Sequence, residues 1–175
     1  MPDALLPLGL LQRRGPLDNA APIPGVSIAP PLRRVSLHGD LSFYAGIALP
    51  RTPLRAVMSD NTAILWLGPE EWLVLAPERD PVAYGYGSVV DVSHRQIGLE
   101  ITGPHAAMLL NAACPLDLAL TAFPVGACTR TVFAKAQIVL WRRAEHRFHI
   151  DIARSFAAYV HAMLREAAME FSATV

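Results

Sequence analysis

The 175 residues carry 15 basic and 15 acidic side chains, zero formal charge, and a hydrophobic share of 53%. The basic residues are scattered as short pairs such as Arg13-Arg14, Arg33-Arg34 and Arg142-Arg143, so no basic stripe follows a phosphate backbone and nucleic-acid binding is excluded. A membrane helix is excluded too: spanning takes about 20 consecutive apolar residues, and the least charged stretch, Ile101–Thr129, is divided by Pro104, Pro115 and Pro124.

A chain of this length fits one domain and buries about 70% of the surface that its unfolded form exposes. Its apolar share exceeds the usual level of roughly 45 to 50%, and another protein is one destination for the surplus, a generous core being the other. The apolar run Ala4–Leu11 follows Asp3 and precedes two arginines, the reverse of a secretory signal's charge order, so the expected location is cytoplasmic. Two cysteines, Cys114 and Cys128, are too few for a disulfide framework and read as small core residues.

Seven prolines fall in the first 31 residues, which predicts an extended arm, 1–31, with no regular element, packed along a partner or across its own domain. From Leu32 the pattern becomes short strands. Val35, Leu37 and Leu41 mark one; Ala63–Leu67 and Trp72–Leu75 flank a Gly68-Pro69-Glu70-Glu71 turn and predict a hairpin with an aromatic on each arm. After a break at Pro77–Gly87, where Gly85 and Gly87 read as a turn, Ser88–Ser93 and Ile97–Thr102 supply further strands. Thr102-Gly103-Pro104 opens a short helix through Ala106, Leu109, Leu110 and Ala113, which Pro115 stops.

Thr129–Phe133 and Gln137–Trp141 read as strands, Arg142–Arg147 as a polar hairpin loop, and Phe148, Ile150 and Ile152 as a strand alternating with His149 and Asp151. The last element is an amphipathic helix whose apolar stripe is Phe156, Val160, Met163, Leu164, Ala167 and Phe171. Strands and helices without regular alternation predict an α+β fold with a mainly antiparallel sheet. The domain spans 32–175, with approximate halves 32–96 and 97–175.

No catalytic, cofactor-binding or metal-ligating residue emerges. Asp91, Ser93 and His94 are triad types, but on a strand Asp91 and Ser93 face one way and His94 the other, so the imidazole cannot bridge nucleophile and carboxylate. The better reading has Asp91 and Ser93 bonding local backbone, with His94 and Arg95 exposed or at an interface. His146 and His149, three apart on a hairpin, point to opposite faces and do not pair as metal ligands. Cys114 and Cys128 lack C-x-x-C spacing, Gly85 and Gly87 match no phosphate-cradling pattern, and Trp66, Trp72 and Trp141 read as core or half-core aromatics.

Several stretches, in order, carry a resemblance. They are Leu65-Trp-Leu-Gly-Pro-Glu-Glu-Trp-Leu-Val-Leu75, Val89-Val-Asp-Val-Ser-His-Arg-Gln96, Leu99-Glu-Ile-Thr-Gly-Pro104, Cys114-Pro-Leu-Asp-Leu118, Phe123-Pro-Val-Gly-Ala-Cys-Thr-Arg-Thr131 and Arg154-Ser-Phe-Ala-Ala-Tyr159. Together the chain resembles the gamma subunits of heterotetrameric sarcosine oxidases. The resemblance implies a fold like the folate-binding domain of glycine-cleavage aminomethyltransferases, two related strand-helix halves, with the first trimmed because Pro77–Gly87 replaces a helix. It also implies assembly with alpha, beta and delta chains, which hold FAD, FMN, NAD, zinc and tetrahydrofolate, and a structural role for this subunit in oxidative demethylation of a secondary amino acid such as sarcosine. Two further readings are a stand-alone folate binder, with Asp40, Asp60, Asp91, Glu100 and Asp117 as candidate pterin carboxylates, and a small hydrolase using Ser93 and His94.

Overall fold

The computed structural model describes residues 15–77 and 83–172. Among them eleven strands form two antiparallel sheets. The N-sheet comprises β2 (Arg33–Tyr44), β3 (Ile47–Ala48), β4 (Ala56–Ser59), β5 (Thr62–Gly68), β6 (Glu71–Ala76) and β7 (Ala83–Asp91), in the order β3-β2-β6-β5-β4 with β7 also on β2. The C-sheet, ordered β1-β8-β11-β10-β9, joins β1 (Val26–Ile28) to β8 (Gln96–Thr102), β9 (Cys128–Phe133), β10 (Ala136–Ala144) and β11 (Arg147–Ala153). Two helices, α1 (Ala106–Asn111) and α2 (Ala157–Ser172), complete the described part.

The two-residue period of a strand sorts the side chains into layers. On the outer face of the C-sheet, Leu99, Ile101, Ile138, Leu140, Phe148, Ile150 and Ile152 pack with Leu109 and Leu110 of α1 and Val160 and Leu164 of α2. Between the sheets, Ala63, Leu65, Leu73 and Leu75 meet Cys128, Val139 and Trp141. The other face of the N-sheet gathers Val35, Leu37, Ile64, Trp72 and Val74 with Leu41, Tyr44 and Leu49. There the Trp72 indole donates to the Pro50 carbonyl at 2.8 Å, which satisfies its one polar atom.

The sheets also touch along one edge. The Ala56 amide donates to the Gly126 carbonyl and the Cys128 amide to the Leu54 carbonyl, each at 2.9 Å, and Arg55 bridges Ala127. The N-sheet therefore runs on into the C-sheet there, giving a near-barrel outline.

Four sequence expectations need correction. Val26–Ile28 is a strand, pairing Val26 with Ile101 and Ile28 with Leu99, so regular structure begins before Leu32. Leu17, Ile23 and Ala29 are buried against the same domain, and the arm's earlier residues, 1–14, lie outside the described ones. Gly85 and Gly87 do not form a turn. They lie inside β7, where a Cβ at Gly85 would stand 2.3 Å from the Asp40 carbonyl oxygen and one at Gly87 2.2 Å from that of His38; glycine admits the close approach of β2. The break thus shortens to 77–82, of which 78–82 lie outside the described residues.

Arg142 and Arg143 belong to β10 rather than a loop, since the ladder to β11 runs on to Ala144 opposite Arg147. Phe156 sits in a 3-10 turn, Arg154–Phe156, ahead of α2 and is 43% exposed, so it drops out of the helix's buried stripe.

Candidate functional site

The largest group of interacting charges lies between the sheets. Arg34 on β2 pairs through Nε with Asp151 Oδ1 on β11. The other Asp151 oxygen is 2.8 Å from His149 Nε2, and His149 Nδ1 is 2.9 Å from Glu100 Oε1 on β8. Glu100 also accepts from Arg143 Nη1 at 2.9 Å and Arg147 Nε at 2.7 Å. Asp151 and His149 are 1% exposed.

The register explains the assembly. Gly98 stands opposite Asp151 and Glu100 opposite His149 on the paired strands. A Cβ at Gly98 would lie 2.7 Å from both Arg34 Nη2 and His149 Cε1, so the missing side chain is the space into which these two groups fit. Trp141, opposite His149 on β10, sets its ring edge-on at a centroid distance of 6.3 Å.

Each ring nitrogen of His149 faces a carboxylate oxygen, and only the doubly protonated imidazolium donates to both. Burial opposes that charge, but the hydrogen bonds to Asp151 and Glu100 outweigh it and hold the His149 pKa above its ordinary value. Burial likewise pushes the Glu100 carboxyl up, and the bonds from His149 and the arginines reverse this, leaving it at about 2. Asp151 is lowered for the same reason, its burial overcome by His149 and Arg34. The acids stay ionised and the imidazole stays charged. Bonded to one another across β2, β8 and β11, these side chains tie the two sheets together.

Beside it opens a cleft of about 390 Å³ between the sheets. Leu67, Leu73, Val92 and Val139 form apolar walls, and His38, Arg95, Gln96, Arg130, Gln137 and Phe156 stand around them. Arg130 of β9 crosses to Glu71 of β6 with a second contact of 3.2 Å, and this bond lowers the Glu71 pKa. Ser36 Oγ lies 3.0 Å from His38 Nε2.

The residues singled out from sequence are dispersed. Ser93 and His94 occupy a 3-10 turn, Ser93–Arg95, instead of a strand. Asp91 Oδ1 accepts from the Ser93 amide at 2.9 Å, its other oxygen takes Arg33 Nε at 2.8 Å, and Ser93 Oγ accepts from the Arg34 amide at 2.9 Å. The Asp91 bond to the Ser93 amide is the local backbone bond that the sequence predicts, whereas Ser93 Oγ reaches across to the distant strand β2, and His94 is exposed. His146 lies in the β10–β11 turn while His149 is buried. Of the candidate pterin carboxylates, Asp40, Asp60, Asp91 and Asp117 are exposed at separate places, Asp117 accepting from the Ala119 amide at 2.8 Å, and Glu100 is committed to the buried cluster. Among the described residues no three His, Cys, Asp or Glu side chains are grouped to hold a metal, and no helix is long and apolar enough to cross a membrane. Cys114 and Cys128 are free and buried, and Trp72 and Trp141 are core residues.

Sequence reasoning missed the cluster because alternation assigns His149 and Asp151 to one face without saying what that face meets. The available signal was Gly98 on the neighbouring strand.

Comparison with known proteins matches these features to one family. The model of the sarcosine oxidase gamma subunit family fits residues 36–170. The sarcosine oxidase subunit gamma of Arthrobacter sp. is 33% identical over 144 residues, covering 77% of this chain and 71% of the relative. That of Corynebacterium sp. (strain U-96) is 35% identical over 146 residues, covering 78% and 71%. A chain of the solved heterotetrameric sarcosine oxidase from Corynebacterium sp. U-96, in complex with pyrrole 2-carboxylate, superposes with a TM-score of 0.79 at 26% identity, over 93% of this chain and 98% of that one. Matched over most of its length by sequence and by structure, the chain belongs to the sarcosine oxidase gamma subunit family.

Proposed function

We propose that the chain is a non-catalytic assembly subunit of a heterotetrameric sarcosine-oxidase-type flavoenzyme that oxidatively demethylates a secondary amino acid such as sarcosine. The observation that carries the non-catalytic part is the saturation of the Arg34–Asp151–His149–Glu100 cluster, whose carboxylates already hold all the donors their burial requires. Its companions are alpha, beta and delta chains. FAD, FMN, NAD, zinc and tetrahydrofolate are assigned to those chains, as membership in the gamma subunit family implies. A folate-binding-domain-like duplication is supported by the way β2–β7 build one sheet and β8–β11, joined by β1, build the other, with the helices on the second only among the described residues.

Co-expression with the other three chains, followed by size-exclusion chromatography, tests the reading. The chain is expected to elute with the flavin-bearing subunits. A monodisperse 19 kDa species that ignores them overturns it, and saturable folate binding by the isolated chain places a ligand site here instead.

A further inference from the structure

The outer side of α2 combines an open apolar groove with uncompensated negative charge. Ala112 and Ala113, just past α1, and Met163, Ala167 and Met169 of α2 line a groove of about 410 Å³, and Met169 is 66% exposed. Glu166 and Glu170 stand at its rim, exposed, and neither has an ion-pair partner among the described residues. Both lie in the C-terminal half of the helix, where the helix dipole favours cations, yet its last turn holds no basic residue. The chain itself arrives beside them. Gly15, the first described residue, shares a hollow with Ala162 and Arg165 of α2. Immediately before Gly15 stand Arg13 and Arg14, and before these the apolar run Ala4–Leu11.

We propose that Ala4–Leu11 docks in this groove of its own chain, its leucines against Met163, Ala167 and Met169, with Arg13 and Arg14 crossing α2 over Glu166 and Glu170. Charge complementarity and chain length both select this occupant. Residues 11–14, extended, span about 13 Å, enough to cross a helix about 10–12 Å wide. Successive helical residues turn by about 100°, which sets Glu166 and Glu170 between Ala162 and Ala167 around the axis. A chain leaving Gly15 therefore meets the two acids first and the apolar wall next. Its own groups come in the same order, two arginines and then the leucines.

The full chain carrying Ala112→Cys, an exposed position on the groove wall, is labelled with a thiol reagent, the native Cys114 and Cys128 being buried. Adding Leu8→Asp with Leu10→Asp is expected to speed labelling of the new thiol roughly tenfold. Glu166→Lys with Glu170→Lys speeds it about fivefold, and adding Arg13→Glu with Arg14→Glu to that pair returns it to within about twofold of the parent. Leucine substitutions that leave the rate unchanged overturn the docking. So does an exchange of charges that fails to restore protection. Labelling that slows only when the other subunits of the complex are added assigns the groove to them and overturns the proposal as well.

Discussion

Arg34 and Asp151, 117 positions apart in the chain, form a buried ion pair that fastens one sheet to the other. Breaking such a pair from one side leaves a buried charge without compensation, at a cost of about 3–5 kcal/mol. Asp151→Asn therefore destabilises the chain by that amount in urea unfolding, and so does Arg34→Met. The double variant costs clearly less than the sum, because neither partner then remains charged. Additive losses would show that the two act through separate contacts.

The pH dependence follows from the same cluster. His149 has a folded pKa raised above 6.5, so its contribution is complete below 6.5 and is lost as pH rises through the folded value. Glu100 is lowered from 4.5 to about 2 and Asp151 from 3.8, so theirs is complete above 4.5 and is lost as pH falls through the folded values. Calorimetric melting temperature should peak between those limits, near pH 5 to 6, and fall as pH rises through the folded His149 value. His149→Gln should flatten the alkaline limb, whereas an unchanged slope would assign it to another group.

Gly98→Ala places a methyl group where Arg34 and His149 already stand. Overpacking of this kind costs about 1–3 kcal/mol. The denaturant midpoint should fall with no change in its slope, and the near-ultraviolet circular dichroism of Trp141, which contacts His149, should change with it.

Arg142 lies buried on the opposite face of β10. It donates Nη2 to the Leu118 carbonyl at 2.7 Å and sets its guanidinium 4.5 Å from the Phe148 ring centre, while Nε and Nη1 have no partner among the described residues. Its stem fills volume and its head is incompletely satisfied. Arg142→Met keeps the volume and should match or exceed wild-type stability, whereas Arg142→Ala should lose about 2 kcal/mol or more by opening a cavity. Equal losses for both would mean that the Leu118 bond decides.

The sequence predicted the local elements well where one periodicity spoke. The Leu65–Leu75 hairpin sets Trp66 opposite Trp72, and α2 buries Val160 and Leu164 as its stripe requires. It failed where glycine or charge carried two readings. Gly85 and Gly87 signal a turn locally but serve the close crossing of β2 and β7, a contact made with residues Asp40 and His38 far back in the chain. Arg142 and Arg143 are polar enough for a loop, yet the strand beside them continues and buries one of the two. The charged cluster joins β2, β8, β10 and β11, and no linear spacing encodes which strands will be neighbours.

The two cysteines offer a practical consequence. Cys114 sits in the layer beneath the helices and Cys128 in the layer between the sheets, where burial pushes its thiol up to about 12. Neither sulfur reacts from the closed state, since the thiolate is the nucleophile and it needs access. Alkylation of either thiol then measures how often its own layer opens, and because the two lie in different layers, the pair of labelling rates times the separate breathing of the helical cover and of the sheet interface without any engineered probe.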